Sequence, residues 1–369
     1  MRVCLDATPL LGPRTGVGAF VAAVADGMAR RGDIELTAFA LTWRGRGALS
    51  ELVPAPSRVV TAPLPARPLR TAWRRGLALP IDRWLGGHDV MHGTNFVVPP
   101  SRSAHVVTVH DLTCVRFPEL CTADTLEYPG LIRRAVDRGA WVHTPSRAVA
   151  EEVTTLLAVP AERVRAVANG ANLLPPADAA DGHRLAGAVR YVLGLGTIEP
   201  RKDFPTLVDA FSLLAADDPE LHLVIAGPDG WGVVALEQAI ARSAAPERIH
   251  RLGWVDTPAR SALLAGAEVL AFASRYEGFG LPVLEAHGLG TPVVASDVAA
   301  LREVAGTAAV FAPVGEPDAL ATAIQSVLTD ATTADALRRA GFVNVTRFPW
   351  ESCVDGLVEL YTDAVTAHG

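Results

Sequence analysis

Apolar residues in this chain fall into short runs separated by longer stretches of helical spacing. In the first half, residues 2–8, 34–41, 58–62, 90–93, 104–110 and 141–144 are predicted strands. Residues 19–30 place Phe20, Val21, Val24 and Met28 on one helical face. Residues 148–157 do the same behind Ser146, a predicted N-cap. Between 67 and 85, Leu69, Trp73, Leu77, Ile81 and Trp84 form one stripe, with Arg67, Arg70, Arg74 and Arg75 mostly off it. Two readings fit that stretch: a basic helix lying on an anionic membrane surface, or, preferred, a helix packed on its own domain with a solvated arginine face.

The alternation breaks between residues 168 and 190. Asn169-Gly170-Ala171-Asn172 is turn chemistry, and Pro175-Pro176 with the Ala/Asp/Gly run behind it reads as a linker. The pattern then restarts. Residues 190–195, 221–226, 249–252, 267–273, 291–295 and 309–311 are predicted strands. Four of them end in glycine loops, at Gly196, Gly227, Gly253 and Gly278. A helix is predicted over 204–214, and a terminal one over 349–365, with Trp350, Val354, Leu357, Tyr361 and Val365 apolar. The implied class is α/β, with doubly wound parallel sheets. The implied division is a first domain over 1–172, a linker over 173–189, a second domain over 190–348 and a terminal helix over 349–369.

Composition narrows the function. The chain has 369 residues, enough for two ordinary domains, and half of them are apolar, enough for two cores. A net charge of −7 argues against nucleic acid as a partner. Cys4, Cys114, Cys121 and Cys353 form no C-x-x-C pair, which suits a reducing compartment without a structural metal. Arg2-Val-Cys-Leu-Asp6 does not read as a signal peptide, and no apolar run is long enough to span a bilayer. The expectation is a soluble cytoplasmic protein. Among 33 basic residues a single lysine occurs, Lys202. A site that accepts a compact point charge and rejects a planar fork accounts for it; the bland account is chance.

The richest chemistry lies in Arg275-Tyr-Glu-Gly-Phe-Gly-Leu-Pro-Val-Leu-Glu285. A buried strand, a glycine loop and a helix beginning near Pro282 are expected, with Glu277 in the loop and Glu285 in the first helical turn. Such a helix start offers N–H groups to a phosphate, and the two carboxylates suit sugar or ribose hydroxyls. The plainer alternatives are that Glu285 only complements the helix dipole and that Glu277 is a solvated loop acid. Gly16-Val-Gly18 and Gly194-Leu-Gly196 lack the third glycine and the tight turn of a dinucleotide fingerprint. His110-Asp111 follows the apolar run 106–109, at the carboxyl end of a predicted strand.

Gly196-Thr-Ile-Glu-Pro-Arg-Lys-Asp203 followed by Glu277-Gly-Phe-Gly-Leu-Pro-Val-Leu-Glu285 resembles the retaining, nucleotide-sugar-dependent glycosyltransferases of family 4, whose mark is E-x7-E. Val109-His-Asp-Leu112, Asn169-Gly170 and Phe348-Pro-Trp-Glu351 are similar to further features of that family. The resemblance implies a GT-B fold, two Rossmann-like domains facing each other across a cleft. It also implies a first domain on the acceptor side, a second that binds the donor, and a last helix returning to the first domain.

It implies roles as well. Arg201 and Lys202 would hold the donor diphosphate, and Glu277 would orient the transferred sugar with His110 beside it. The backbone of Gly278, Phe279, Gly280 and Leu281 would contact sugar and phosphate, and Glu285 the ribose. Gly16 would leave room for the diphosphate, and Gly253, Trp254 and Val255 would border the base. Ala19 departs from the arginine common at that position. No D-x-D occurs, so a scheme without metal or cofactor is expected. The expected reaction is hexosyl transfer from a nucleotide sugar to a carbohydrate, lipid or small-molecule acceptor. GDP-mannose is preferred over UDP-glucose on Gly227-Pro-Asp-Gly-Trp231. A nucleotide-sugar epimerase, a glycoside phosphorylase or a non-catalytic sugar-binding protein are the alternatives.

Overall fold

A computed structural model describes residues 1–12, 16–42, 47–62, 66–77 and 79–369. The chain divides into two compact units, Met1–Gly170 with Phe348–Gly369, and Ala171–Arg347. The first holds a sheet of seven strands: β1 (Arg2–Asp6), β2 (Glu35–Leu41), β3 (Arg58–Ala62), β4 (Val90–Gly93), β5 (Ala104–Thr108), β6 (Trp141–Thr144) and β7 (Val164–Ala166). Their order is β3-β2-β1-β4-β5-β6-β7, all parallel. The second holds β8 (Tyr191–Leu195), β9 (His222–Ala226), β10 (Ile249–Gly253), β11 (Val269–Phe272), β12 (Val293–Ser296) and β13 (Val310–Ala312), also parallel, in the order β10-β9-β8-β11-β12-β13.

Both sheets are covered on both faces, which is why their strands read as continuous apolar runs and not as alternating ones. In β1, Val3 and Leu5 enter one core and Cys4 the other. In β8, Val192 enters one core, while Tyr191, Leu193 and Leu195 enter the opposite one. The last helix, Trp350–His368, packs with the Gly16–Ala29 helix and β5, and brings Val354, Leu357, Leu360 and Tyr361 into the core of the first unit.

Three stretches depart from the sequence reading. Residues 67–85 do not form one helix. They form Ala66–Arg74 and Asp82–Leu85, separated where Gly76 takes φ +84° and Pro80 removes a donor. Trp73 is buried, whereas Leu77 is exposed. Arg70 and Arg74 pair with Asp124 and Glu127 of the same unit, so this segment packs on its own surface. Residues 173–189, read as a linker, carry the helix Ala179–Ala186, capped by the Asp178 side chain and by Gly187, and packed on Thr257–Gly266. Its Ala/Asp/Gly composition masked it, since Gly182 is needed where a Cβ would stand 2.1 Å from the Ala262 carbonyl oxygen. Strand β7 was not predicted; it is three residues long and half-exposed.

A hydrogen-bonded row crosses the first sheet. His143 Nε2 meets the Val167 carbonyl at 3.0 Å, so that nitrogen carries the proton and Nδ1 must accept. Thr108 therefore donates to His143 Nδ1 (2.9 Å) and accepts from His92 Nε2 (2.7 Å). His92 Nδ1 in turn accepts from the Tyr361 hydroxyl of the last helix (2.6 Å). Phe20 stacks on His143 and meets His110 edge-on, with ring centroids 5.6 and 5.4 Å apart. Among the described residues no helix is long and apolar enough to cross a membrane.

Candidate active site

In the second unit the strand order reverses between β8 and β11. At such a switch point the loops leaving the two carboxyl ends part and open a crevice. After β8 comes Gly196 and the single turn Pro200–Lys202; after β11 comes the Ser274–Gly280 loop. The Arg275 amide donates to the Arg201 carbonyl (2.8 Å) and ties the two loops together. Gly280 ends the second loop with φ +111° as the residue preceding the Leu281–Leu289 helix, a conformation that a side chain would strain. Gly196, at φ +145°, lies against the Lys202 stem, where a Cβ would come within 3.3 Å of Cε.

These loops bring the sequence-predicted acid and cations together. Lys202 Nζ donates to Glu277 Oε1 at 2.5 Å, and Ser274 Oγ donates to the same oxygen at 2.7 Å. Arg201 Nη1 lies 2.8 Å from Glu277 Oε2 and donates to the Tyr276 carbonyl, also at 2.8 Å. The Lys202 ammonium sits 4.6 Å from the centre of the Phe272 ring. Glu277 is only 7% exposed. Burial works to raise its pKa, but the charges of Arg201 and Lys202 outweigh that and hold the carboxyl at about 2. Burial moves the Lys202 pKa down while Glu277 opposes the shift. Glu277 is thus a fixed anion and a poor base, and the solvated-acid alternative is excluded.

Glu285 differs from its expected place. The helix begins at Leu281, so Glu285 stands one turn in, with no acid in the first turn. Its carboxylate is buried, not at the surface complementing a dipole. It pairs with Arg260 and accepts from Asn172 Nδ2 at 3.5 Å. Burial raises its pKa, and Arg260 opposes the rise. Gly253 takes φ +69° at the end of β10 and accepts from the Gly227 amide, with Trp254 beyond it exposed.

Gly16 and His110 belong to the first unit. Gly16 opens the Gly16–Ala29 helix; Pro13, Arg14 and Thr15 before it lie outside the described residues. His110 Nε2 donates to the Thr94 carbonyl (2.8 Å), and its ring lies between Phe20 and Phe96. Burial depresses its pKa, so the ring is neutral at pH 7 and Nδ1 is the basic nitrogen.

Ser274 and Arg260 were not singled out from the sequence. Ser274 is a polar residue at the end of an apolar strand, a legible sign. Arg260 reaches Glu285 from a helix 25 positions earlier, and nothing in a single sequence links the two.

Two family descriptions match the chain: Glycosyltransferase Family 4 over residues 14–173 and Glycosyl transferases group 1 over residues 180–343. The O-antigen chain mannosyltransferase B of Escherichia coli is 31% identical over 281 residues, spanning 74% of each chain. Sucrose-phosphate synthase from Thermosynechococcus elongatus superposes with a TM-score of 0.77 at 22% identity, over 99% of both chains. HepE of Anabaena, solved with UDP and glucose, superposes with a TM-score of 0.74 at 19% identity, over 98% of this chain and 100% of its own. With the two parallel sheets and the shared sequence features, these place the chain among the retaining glycosyltransferases of family 4, with the GT-B fold, and to that family it belongs.

Proposed function

We propose that this enzyme transfers a mannosyl group from GDP-mannose, with retention, to a carbohydrate, lipid or small-molecule hydroxyl. The observation that carries the reading is the Glu277 carboxylate, ionised between Lys202 and Arg201 at the point where the second sheet reverses its strand order. The bond from the anomeric carbon to the β-phosphate oxygen breaks, and its electron pair leaves with the diphosphate. The acceptor oxygen bonds to the anomeric carbon on the same face, and its proton passes to the departing phosphate oxygen. Charge growing on the diphosphate meets Lys202, Arg201 and the amides preceding the Leu281–Leu289 helix. Glu277, too weak a base to take a proton, accepts from a sugar hydroxyl and faces the positive charge growing at the anomeric carbon.

Charged hydrogen bonds contribute about 1.5–3 kcal/mol each, whereas enzymes lower barriers by about 8–23 kcal/mol. Orientation of the two substrates supplies much of the remainder. We assign donor binding to residues 190–348 and the acceptor to residues 1–172, with residues 349–369 completing the acceptor unit. His110 is assigned to the sugar and Gly16 to the diphosphate. Gly278, Phe279, Gly280 and Leu281 are assigned to sugar and phosphate, Glu285 to the ribose, and Gly253, Trp254 and Val255 to the base. Four free cysteines suit the cytoplasm. Residues 67–85 are assigned to packing and not to a membrane, since Arg70 and Arg74 are already neutralised within their unit.

The mannosyl donor is supported by the name of the E. coli relative and by Gly227-Pro-Asp-Gly-Trp231. UDP-glucose is the second reading, because HepE of Anabaena was solved with that donor. A thermal-shift panel of GDP-mannose, UDP-glucose and ADP-glucose decides between them. The largest stabilisation is expected with GDP-mannose; a larger one with UDP-glucose moves the assignment to that donor, and none with any overturns the donor site. Turnover is expected to persist in EDTA, and a complete loss restored by Mg²⁺ or Mn²⁺ would contradict the metal-free scheme.

A further inference from the structure

Glu285 is a carboxylate 2% exposed, and a charge so placed is costly unless something compensates it. Its charged partner is Arg260, on the Thr257–Gly266 helix that precedes β11. The Arg260 guanidinium reaches Glu285 Oε2 through Nη2, while Asn172 donates to Oε1. The pair is close, yet among the described residues Glu285 Oε2 and Arg260 Nε have no aligned hydrogen-bond partner. The carboxylate therefore keeps acceptor capacity that none of the described residues takes up, beside a cation that is one third exposed at its side chain. An arginine suits this task because it stays charged at every accessible pH.

We propose that Arg260 is a positioning residue of the donor site, which keeps Glu285 an oriented anion for the hydroxyls of the nucleotide ribose. The inference rests on the assignment of Glu285 to the ribose. Arg260 is not required to touch the donor. It acts through Glu285: the guanidinium opposes the rise that burial causes and so favours the ionised carboxylate that accepts from hydroxyl donors. Without it, burial, which already pushes the pKa up, is opposed only by the Asn172 hydrogen bond, so the carboxyl takes up a proton at higher pH than in wild type and one acceptor is lost.

The test is the affinity of GDP and of UDP, measured by calorimetry from pH 6 to pH 8.5 on wild type, Arg260→Met, Arg260→Lys and Glu285→Gln. Each variant is compared with wild type at the same pH, which cancels titration of the nucleotide itself. Arg260→Met is expected to bind about tenfold more weakly at pH 6, roughly the loss of one charged hydrogen bond, and to approach wild type at pH 8.5. Arg260→Lys is expected to restore most of the loss. A loss of the same size at every pH shows packing alone and overturns the proposal, as does wild-type affinity throughout. Arg260→Gln carries the same readout if the methionine variant does not fold. The underlying assignment fails separately: Glu285→Gln binding both nucleotides as wild type does would remove Glu285 from the ribose, whatever Arg260 does.

Discussion

Lys202 occupies a position where size matters as much as charge. Its stem lies against Gly196 and the Phe272 ring, and its ammonium reaches Glu277 at 2.5 Å. Lys202→Ala is expected to lower kcat by about ten- to a hundredfold, the worth of one charged hydrogen bond, with a smaller change in KM. That split follows if the ammonium acts on charge that grows only as the glycosidic bond breaks; steady-state kinetics with varied donor would show it, and a change confined to KM would contradict it. Glu277→Gln removes a buried counter-charge from two half-buried cations. Breaking such a pair costs about 3–5 kcal/mol, which denaturant unfolding at pH 7 would measure. The Glu277 pKa, about 2, lies below its ordinary value of 4.5. Its contribution is therefore complete above pH 4.5 and lost as pH falls towards 2, so the gap between variant and wild type should narrow across that window. Lys202 was legible in the sequence as its single lysine, and Glu277 and Glu285 were legible because they bracket a glycine loop. Arg260, Ser274 and Asn172 were not, because a supporting residue carries no local pattern of its own.

At the scale of elements, the apolar runs placed all six strands of the second sheet within about two residues, since a strand buried on both faces has nowhere to put a polar side chain. Elements near the surface fared worse. Strand β7, Val-Arg-Ala, is too short and too exposed to stand out. The Tyr128–Asp137 helix follows two single turns in a polar stretch and was missed. In 67–85, helical spacing ran across Gly76 and Pro80 and concealed a break that those two residues should have announced. The E-x7-E loop was read correctly as strand, turn and helix, yet the helix starts at Leu281, so Glu285 points into the unit from the second turn. Gly280 sets that start. A Cβ there would meet Leu301 Cδ2 at 2.6 Å and the backbone would hold φ +111°. Leu301 is itself fully buried, so the new Cβ meets a packed neighbour as well as a strained backbone. Gly280→Ala is expected to cost about 1–3 kcal/mol in denaturant unfolding and to weaken nucleotide binding; unchanged stability would mean that the loop can relax without its glycine.

At the scale of the molecule, the two units carry similar sheets but different loads of buried histidine. In the first unit His92, His105, His110 and His143 all have pKa values depressed by burial, His105 to about 4 and His143 to about 3. In the second, His250 and His287 do, His287 to about 4. A histidine held neutral in the folded state contributes stability that is complete above its unfolded pKa of about 6.5. That contribution is lost progressively as pH falls below 6.5 towards the folded value. The row from Tyr361 to Val167 sharpens the effect, because each tautomer in it is fixed and protonating either His92 or His143 puts a donor where an acceptor is needed. Calorimetric unfolding from pH 7.5 to pH 4.5 should therefore show the transition of the first unit falling faster than that of the second. Tyr361→Phe identifies the transition: it removes the donor to His92 Nδ1 and should cost about 1–3 kcal/mol, or about 2–4 °C for each kcal/mol in a unit of this size. It should shift only the transition that is acid-sensitive, while added GDP or UDP raises the other. Parallel decline of both transitions with pH, or a Tyr361→Phe shift in the one that nucleotide raises, would show that the histidine row does not govern the acid limit of the first unit.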